Sequence, residues 1–174
     1  MNILEIGLLA LTFAAPAAAV AAPRIEGQRS PHEPRAILGA VEALDLWLDA
    51  HTDLPRAGPL ARIVLVPPGG DIRYDGRTMQ IHETVRGVYD ATSATIYLVR
   101  QWYGETPLDR SVLLHEMVHH RQEKARHWYC PQAMEWDAYQ IQEAYLNAHG
   151  ETGGFNWAWV LLASSCAVRD HHPD

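Results

Sequence analysis

Leu113-Leu114-His115-Glu116-Met117-Val118-His119-His120 is the stretch on which the reading of the chain turns. It contains His-Glu-x-x-His. Residues four apart share one face of a helix, so His115 and His119 can turn ring nitrogens toward one metal ion. Glu116 is rotated by about 100° from His115. That sets it beside such an ion without ligating it, where a general base for an activated water is needed. A catalytic zinc centre is built from three protein ligands and a water, and the two histidines supply only two. Val112, Leu113, Leu114, Met117 and Val118 surround the polar trio with apolar positions, so a buried helix is expected rather than a solvated one. Its start is legible in Thr106-Pro107-Leu108-Asp109: a capping hydroxyl, Pro at the first helical position and an acid near the capping-box position.

The third ligand is sought downstream. After His127-Trp128-Tyr129-Cys130-Pro131 breaks the pattern, a helix is expected from about Pro131 to His149, closed by Gly150. Glu135 lies there beside the apolar stripe of Met134, Ala138, Ile141 and Tyr145. A carboxylate in that position is costly to bury unless it is paired or bound to metal, which makes Glu135 the expected ligand. Asp137, on the Ala133–Ile141–Ala144 face, is the alternative. It could equally accept the N–H of a ligand histidine.

These residues resemble the zincin metallopeptidases of the glutamate-ligand type, the gluzincins. The likeness spans roughly residues 94–146 and departs from that group's Glu-x-x-x-Asp pattern by placing Tyr139 at the fifth position. It implies zinc held by His115, His119 and Glu135, with Glu116 as base. It also implies a strand ahead of the motif helix whose edge takes an extended substrate, and Thr95-Ile96-Tyr97-Leu98-Val99 stands in the matching place. For the group that stabilises the oxyanion, His127, Tyr129 and Tyr139 are candidates. The fold implied is α+β and zincin-like: a small mixed or antiparallel sheet packed on the active-site helix, with flanking N- and C-terminal helices.

The 174 residues suit one domain, and 48% hydrophobic with 20% charged residues is ordinary for a globular chain. Residues 1–22 are apolar and end in an alanine-rich run, which reads as a cleaved export signal, although no basic residue precedes the apolar core. An uncleaved membrane anchor is the rival reading. Residues 23–30 read as a linker and 31–174 as the domain. Removing 1–22 deletes only Glu5 among charged residues, so the net charge goes from −7 to −6. An acidic domain without a basic stripe argues against nucleic acid as a partner. Cys130 and Cys166, an even pair in an exported chain, read as a disulfide. Closing that loop of about 37 residues would contribute roughly 3–4 kcal/mol.

The remaining elements follow from pattern. Ser30-Pro31-His32-Glu33 resembles a capping box, and Ile37, Leu38, Val41, Leu44 and Leu48 predict a helix over about 31–51. Strands are expected at 61–66 and 95–99, with a shorter one over 79–85. Residues 71–79 read as an exposed turn region around Asp75-Gly76. A last helix over about 155–168 carries aromatic residues read as packing.

The expectation is therefore an exported, zinc-dependent hydrolase acting on a peptide or protein substrate, touching membrane only if the N-terminal segment is retained. A non-catalytic exported zinc-binding or partner-binding domain would use the same ligands, and a membrane-anchored interaction module is a third possibility.

Overall fold

The computed structural model describes residues 22–27 and 33–166. Apart from Ala22, the expected leader lies outside the described residues, as do residues 30–32 of the expected capping box. Among the described residues no helix is long and apolar enough to cross a membrane.

The architecture is α+β. Ile25–Glu26 (β1) is followed by a helix at Glu33–His51 (α1), then by strands Arg62–Val66 (β2), Asp71–Tyr74 (β3), Arg77–Gln80 (β4), Gly87–Asp90 (β5) and Thr95–Val99 (β6). Helices follow at Pro107–Ala125 (α2), Glu135–Ala148 (α3) and Trp157–Ala163 (α4), with a short 3-10 turn at Pro131–Met134 ahead of α3. The main sheet has the order β1-β2-β6-β5. Its first three strands are parallel and β5 is antiparallel to β6. Parallel neighbours need a long crossover: α1 supplies it between β1 and β2, and the β3–β5 segment supplies it between β2 and β6. Ile25 and Glu26, within the stretch read as linker, thus form a short strand.

Strand β6 is buried on both faces, which is why it reads as a continuous apolar run. Ile96 and Leu98 face a core built with Ile37, Leu44 and Leu48 of α1 and Leu113, Leu114 and Val118 of α2. Tyr97 and Val99 face the other way, onto Val66, Ile72 and Ile81 under the β3–β4 hairpin. The spacing of Ile37, Val41, Leu44 and Leu48 gives α1 its buried stripe. Helix α2 begins as its sequence requires, with the Thr106 hydroxyl accepting from the Asp109 N–H at 3.0 Å.

Several elements differ from the sequence-based expectation. Residues 71–80 form a β-hairpin rather than an open turn region. Asp75 (φ 48°) and Gly76 (φ 73°) make a two-residue turn of the left-handed kind that hairpins favour. The strand expected over 79–85 is cut back to β4, and β5 was not anticipated. The 95–99 strand is not an edge: β2 and β5 flank it, so β5 is the edge beside α2. The expected helix from Pro131 opens as a 3-10 turn, and α4 spans Trp157–Ala163 only.

Candidate metal centre

One turn of α2 separates His115 from His119, and their rings meet edge to face with centroids 4.7 Å apart. Their Nε2 atoms stand 3.1 Å apart, and each residue is 8% exposed. Glu135 opens α3, whose packing against α2 brings its carboxylate over the pair. One of its oxygens lies 3.3 Å from His115 Nε2 and the other 3.5 Å from His119 Nε2. The three ligand atoms all fall within 4.8 Å of one another. Two imidazole nitrogens and a carboxylate oxygen converging from buried or half-buried side chains are a donor set that suits zinc, and three ligands leave a position open for water.

Opposite charges govern the electrostatics of the cluster. Burial would raise the Glu135 carboxyl, but hydrogen bonds to His115 and His119 outweigh it and hold it well below the usual carboxylate range. For His119, burial opposes the charged ring. The nearby carboxylates of Glu135 and Glu116 prevail and raise it above the ordinary histidine value. Each group is stabilised in its charged form by its neighbours.

Glu116 does not join the ligand set. Its carboxylate accepts a hydrogen bond from the Tyr89 backbone N–H, and burial pushes its pKa up against the opposing pull of His115 and His119. It lies so close to β5 that a Cβ at Gly87 would meet Glu116 Oε1 at 2.7 Å. Because the Val99 N–H donates to Arg86 O, antiparallel alternation turns the backbone groups of Gly87 and Tyr89 away from β6. The outer edge of β5 therefore borders the cluster of His115, His119 and Glu135.

A cleft of about 530 Å³ opens here. Its floor carries His115, Glu116, His119 and Glu135, with Tyr74 of the hairpin also lining it. A chain of rings forms one wall: Tyr139 lies edge-on to His115 with centroids 4.7 Å apart, and touches Phe155 at 5.0 Å and Trp159 at 6.3 Å.

The structure thus brings together His115, Glu116, His119 and Glu135, the four residues expected from sequence. Asp137 is elsewhere: its carboxylate pairs with Arg126 at 2.7 Å on an exposed flank. The side chains beside the two Nδ1 atoms are instead glutamines. His115 Nδ1 lies 3.0 Å from Gln142 Oε1, and His119 Nδ1 lies 3.0 Å from Gln122 Oε1. Of the three oxyanion candidates, Tyr139 lines the cleft, while His127 and Tyr129 do not. His120, next to the motif, turns to Pro59 O and the Tyr89 hydroxyl, both at 3.0 Å. Sequence reasoning missed Gln122, Gln142, Tyr74 and Gly87. It also took Phe155 and Trp159 for packing residues. Only Gln122 had a local signal, three residues after His119 on the same helix.

Cys130 and Cys166 stand at disulfide distance, with Cα atoms 5.8 Å apart. They join the segment leading into Glu135 to the end of α4, which carries Trp159.

No curated protein and no solved structure matches the chain. A family model does match, over residues 33–174, a span that takes in every cleft residue, and the chain belongs to the family described as Domain of unknown function (DUF6647).

Proposed function

We propose that the protein is a zinc-dependent hydrolase, a metallopeptidase of the zincin-like, glutamate-ligand type. The observation that carries the reading is the convergence of His115 Nε2, His119 Nε2 and the Glu135 carboxylate within 4.8 Å, with a fourth buried group, Glu116, beside them and outside the ligand set. A purely structural site usually closes four ligands around its zinc, whereas three ligands and an open cleft suit catalysis.

Zinc held by these residues would supply a Lewis acid and lower the pKa of a water. Glu116 accepts a proton from the attacking water at its carboxylate. As the water oxygen bonds to the scissile carbonyl carbon and the C–N bond breaks, Glu116 returns that proton to the leaving amine nitrogen. Tyr139, on the cleft wall beside His115, would donate its phenolic O–H to the carbonyl oxygen as charge develops there. An extended peptide would add as a strand along the outward edge of β5, at Gly87 and Tyr89, not along β6. Its apolar side chains would lie against Tyr139, Phe155 and Trp159. The apolar N-terminal segment and the Cys130–Cys166 pair support export to an oxidising compartment.

The test is Glu116→Gln. The variant should retain one zinc per chain by elemental analysis and lose hydrolysis of a peptide library that the wild type cleaves. Undiminished hydrolysis by the variant would refute the mechanism. Retained zinc in a wild type that cleaves nothing would favour the non-catalytic zinc-binding reading.

A further inference from the structure

We infer, on the hydrolase reading above, that Arg86 determines specificity: the cleft takes peptides with a carboxylate about two or three residues from the bond that is cut. That carboxylate is either the end of the substrate chain or an acidic side chain.

Arg86 is the only Lys or Arg among the described residues that line the cleft, which also holds the carboxylates of Glu116 and Glu135. Those two would repel an acidic substrate unless a cation is set to receive it. The Arg86 side chain is 48% exposed, yet it is tethered: its Nη2 donates to Asp109 Oδ1 at 2.8 Å. Asp109 is buried, and its backbone is held from both sides. Its N–H donates to Thr106 Oγ1 at 3.0 Å, and its carbonyl accepts from Trp102 Nε1 at 2.6 Å. An ion pair as exposed as Arg86 adds little stability. It does limit where the guanidinium can swing. Nε and Nη1 make no hydrogen bond to any described residue, and the remaining donors of a planar fork match a carboxylate.

The spacing along α2 sets the distance. Asp109 and Glu116 are seven residues apart, about two turns on one face and about 10 Å along the axis. Val112 lies between them on that face and lines the same cleft. Arg86 also directly precedes β5, along whose outer edge the peptide would pair. An extended chain advances about 3.3 Å per residue. A peptide whose scissile carbonyl faces Glu116 therefore brings its second or third residue along to Arg86. A chain end held there lies on the side of the leaving amine, and a short C-terminal peptide is released. A side-chain carboxylate fits on either side.

The experiment uses short peptides built on one neutral sequence. A single Glu is moved along it, each peptide is paired with its Gln twin, and all are made with free and amidated C-termini. Cuts are located by mass spectrometry. With the charge at the Arg86 distance, kcat/KM should be about 10- to 100-fold higher for the carboxylate member of a pair. Preference for a free C-terminus over the amide assigns the chain end, and preference for Glu over Gln in amidated peptides assigns the side chain. Arg86→Gln should keep its zinc and bring the ratio close to one. Arg86→Lys keeps the charge without the fork and should lower the ratio part-way. The same peptides are titrated into zinc-loaded Glu116→Gln protein, with and without Arg86→Gln, so that binding is read apart from turnover. No preference in cleavage or binding, or a preference that survives Arg86→Gln, would overturn the inference, and cleavage by the wild type would still uphold the hydrolase reading. Peptides bound with the carboxylate preference but never cut by the wild type would uphold the role of Arg86 and overturn the hydrolase reading. If Arg86→Gln does not fold, an undiminished preference in Arg86→Lys is the overturning result.

Discussion

Gly87→Ala places a single methyl group against Glu116, the general base of the proposed mechanism. The backbone at Gly87 is not in the left-handed region, so alanine is allowed there on conformational grounds. Its Cβ would nevertheless lie 2.7 Å from Glu116 Oε1, 3.0 Å from Cγ and 3.1 Å from Cδ. Ordinary contact begins near 3.5 Å, so the Glu116 side chain must retreat by roughly 0.5–0.8 Å. The clash reaches the stem as well as the tip, so rotating the carboxylate does not relieve it. The retreat also pulls Glu116 from the Tyr89 N–H that seats it. A misplacement of about 1 Å can cost roughly 100-fold in rate, and a general base contributes about 100- to 10,000-fold in all. Turnover on a cleaved peptide should therefore fall about 10- to 100-fold, with zinc content unchanged at one per chain. Stability should fall by about 1–3 kcal/mol from overpacking. Gly39→Ala in α1, where a Cβ meets nothing within 4 Å, is the control: turnover unchanged, stability up by about 0.5–1 kcal/mol. Steady-state kinetics, elemental analysis and urea melts on the three proteins decide the matter. Wild-type turnover in Gly87→Ala would refute the role given to Glu116, and loss of zinc with it would show that Gly87 guards the ligands instead.

Glu135→Gln should strip zinc from the protein, whereas Asp137→Asn should keep it and lose at most about 0.5–1 kcal/mol from its exposed pair with Arg126. Equal zinc content in the two variants would contradict the ligand assignment. Alkaline stability should depend on Tyr89, whose phenol is pushed up to about 12 by burial and by the charges of Glu123 and Asp90. A raised folded value means that the contribution is whole below pH 10, where an unfolded tyrosine titrates, and is lost as pH climbs from 10 toward 12. Two units amount to about 2.7 kcal/mol, and partial exposure reduces this to roughly 1–2 kcal/mol. Urea melts at pH 9 and 11 should show a shallower loss in Tyr89→Phe than in wild type, and equal slopes would count against it. Replacing Cys130 and Cys166 by serine opens a link across a sequence separation of 36 residues. It should lower the unfolding free energy by about 3–4 kcal/mol, and a change below about 1 kcal/mol would show that the two cysteines are not bonded in solution.

What could be read from sequence was local. His115 and His119 lie one turn apart, Thr106 caps the helix before them, and Asp75-Gly76 marks a turn by chemistry that acts over four residues. Glu135 was legible because a carboxylate beside an apolar stripe needs a partner. The hairpin strands were not legible, because Ile72 is their single buried residue and no alternation shows. Strand β5 is four residues long, begins with Gly and ends with Asp, both poor strand formers. Nothing in Thr95–Val99 says whether it lies inside the sheet or at its edge, since strand order is a matter of tertiary assembly. Gln142 reaches His115 across 27 positions, a pairing that only the docking of α3 on α2 creates. The α4 aromatics were expected inside the protein, yet Trp159 stays 56% exposed at the cleft wall.

The position of β1 governs how the domain can be held. The chain enters the fold at Ile25–Glu26, on one border of the sheet, and the cleft lies along β5 on the other. Three inter-strand spacings separate the two borders, about 14 Å. The cleft therefore lies at the border of the sheet opposite the one where the described chain begins. Changes at the β1 border would act on the sheet edge farthest from the cleft, three strands away from Glu116 and its neighbours.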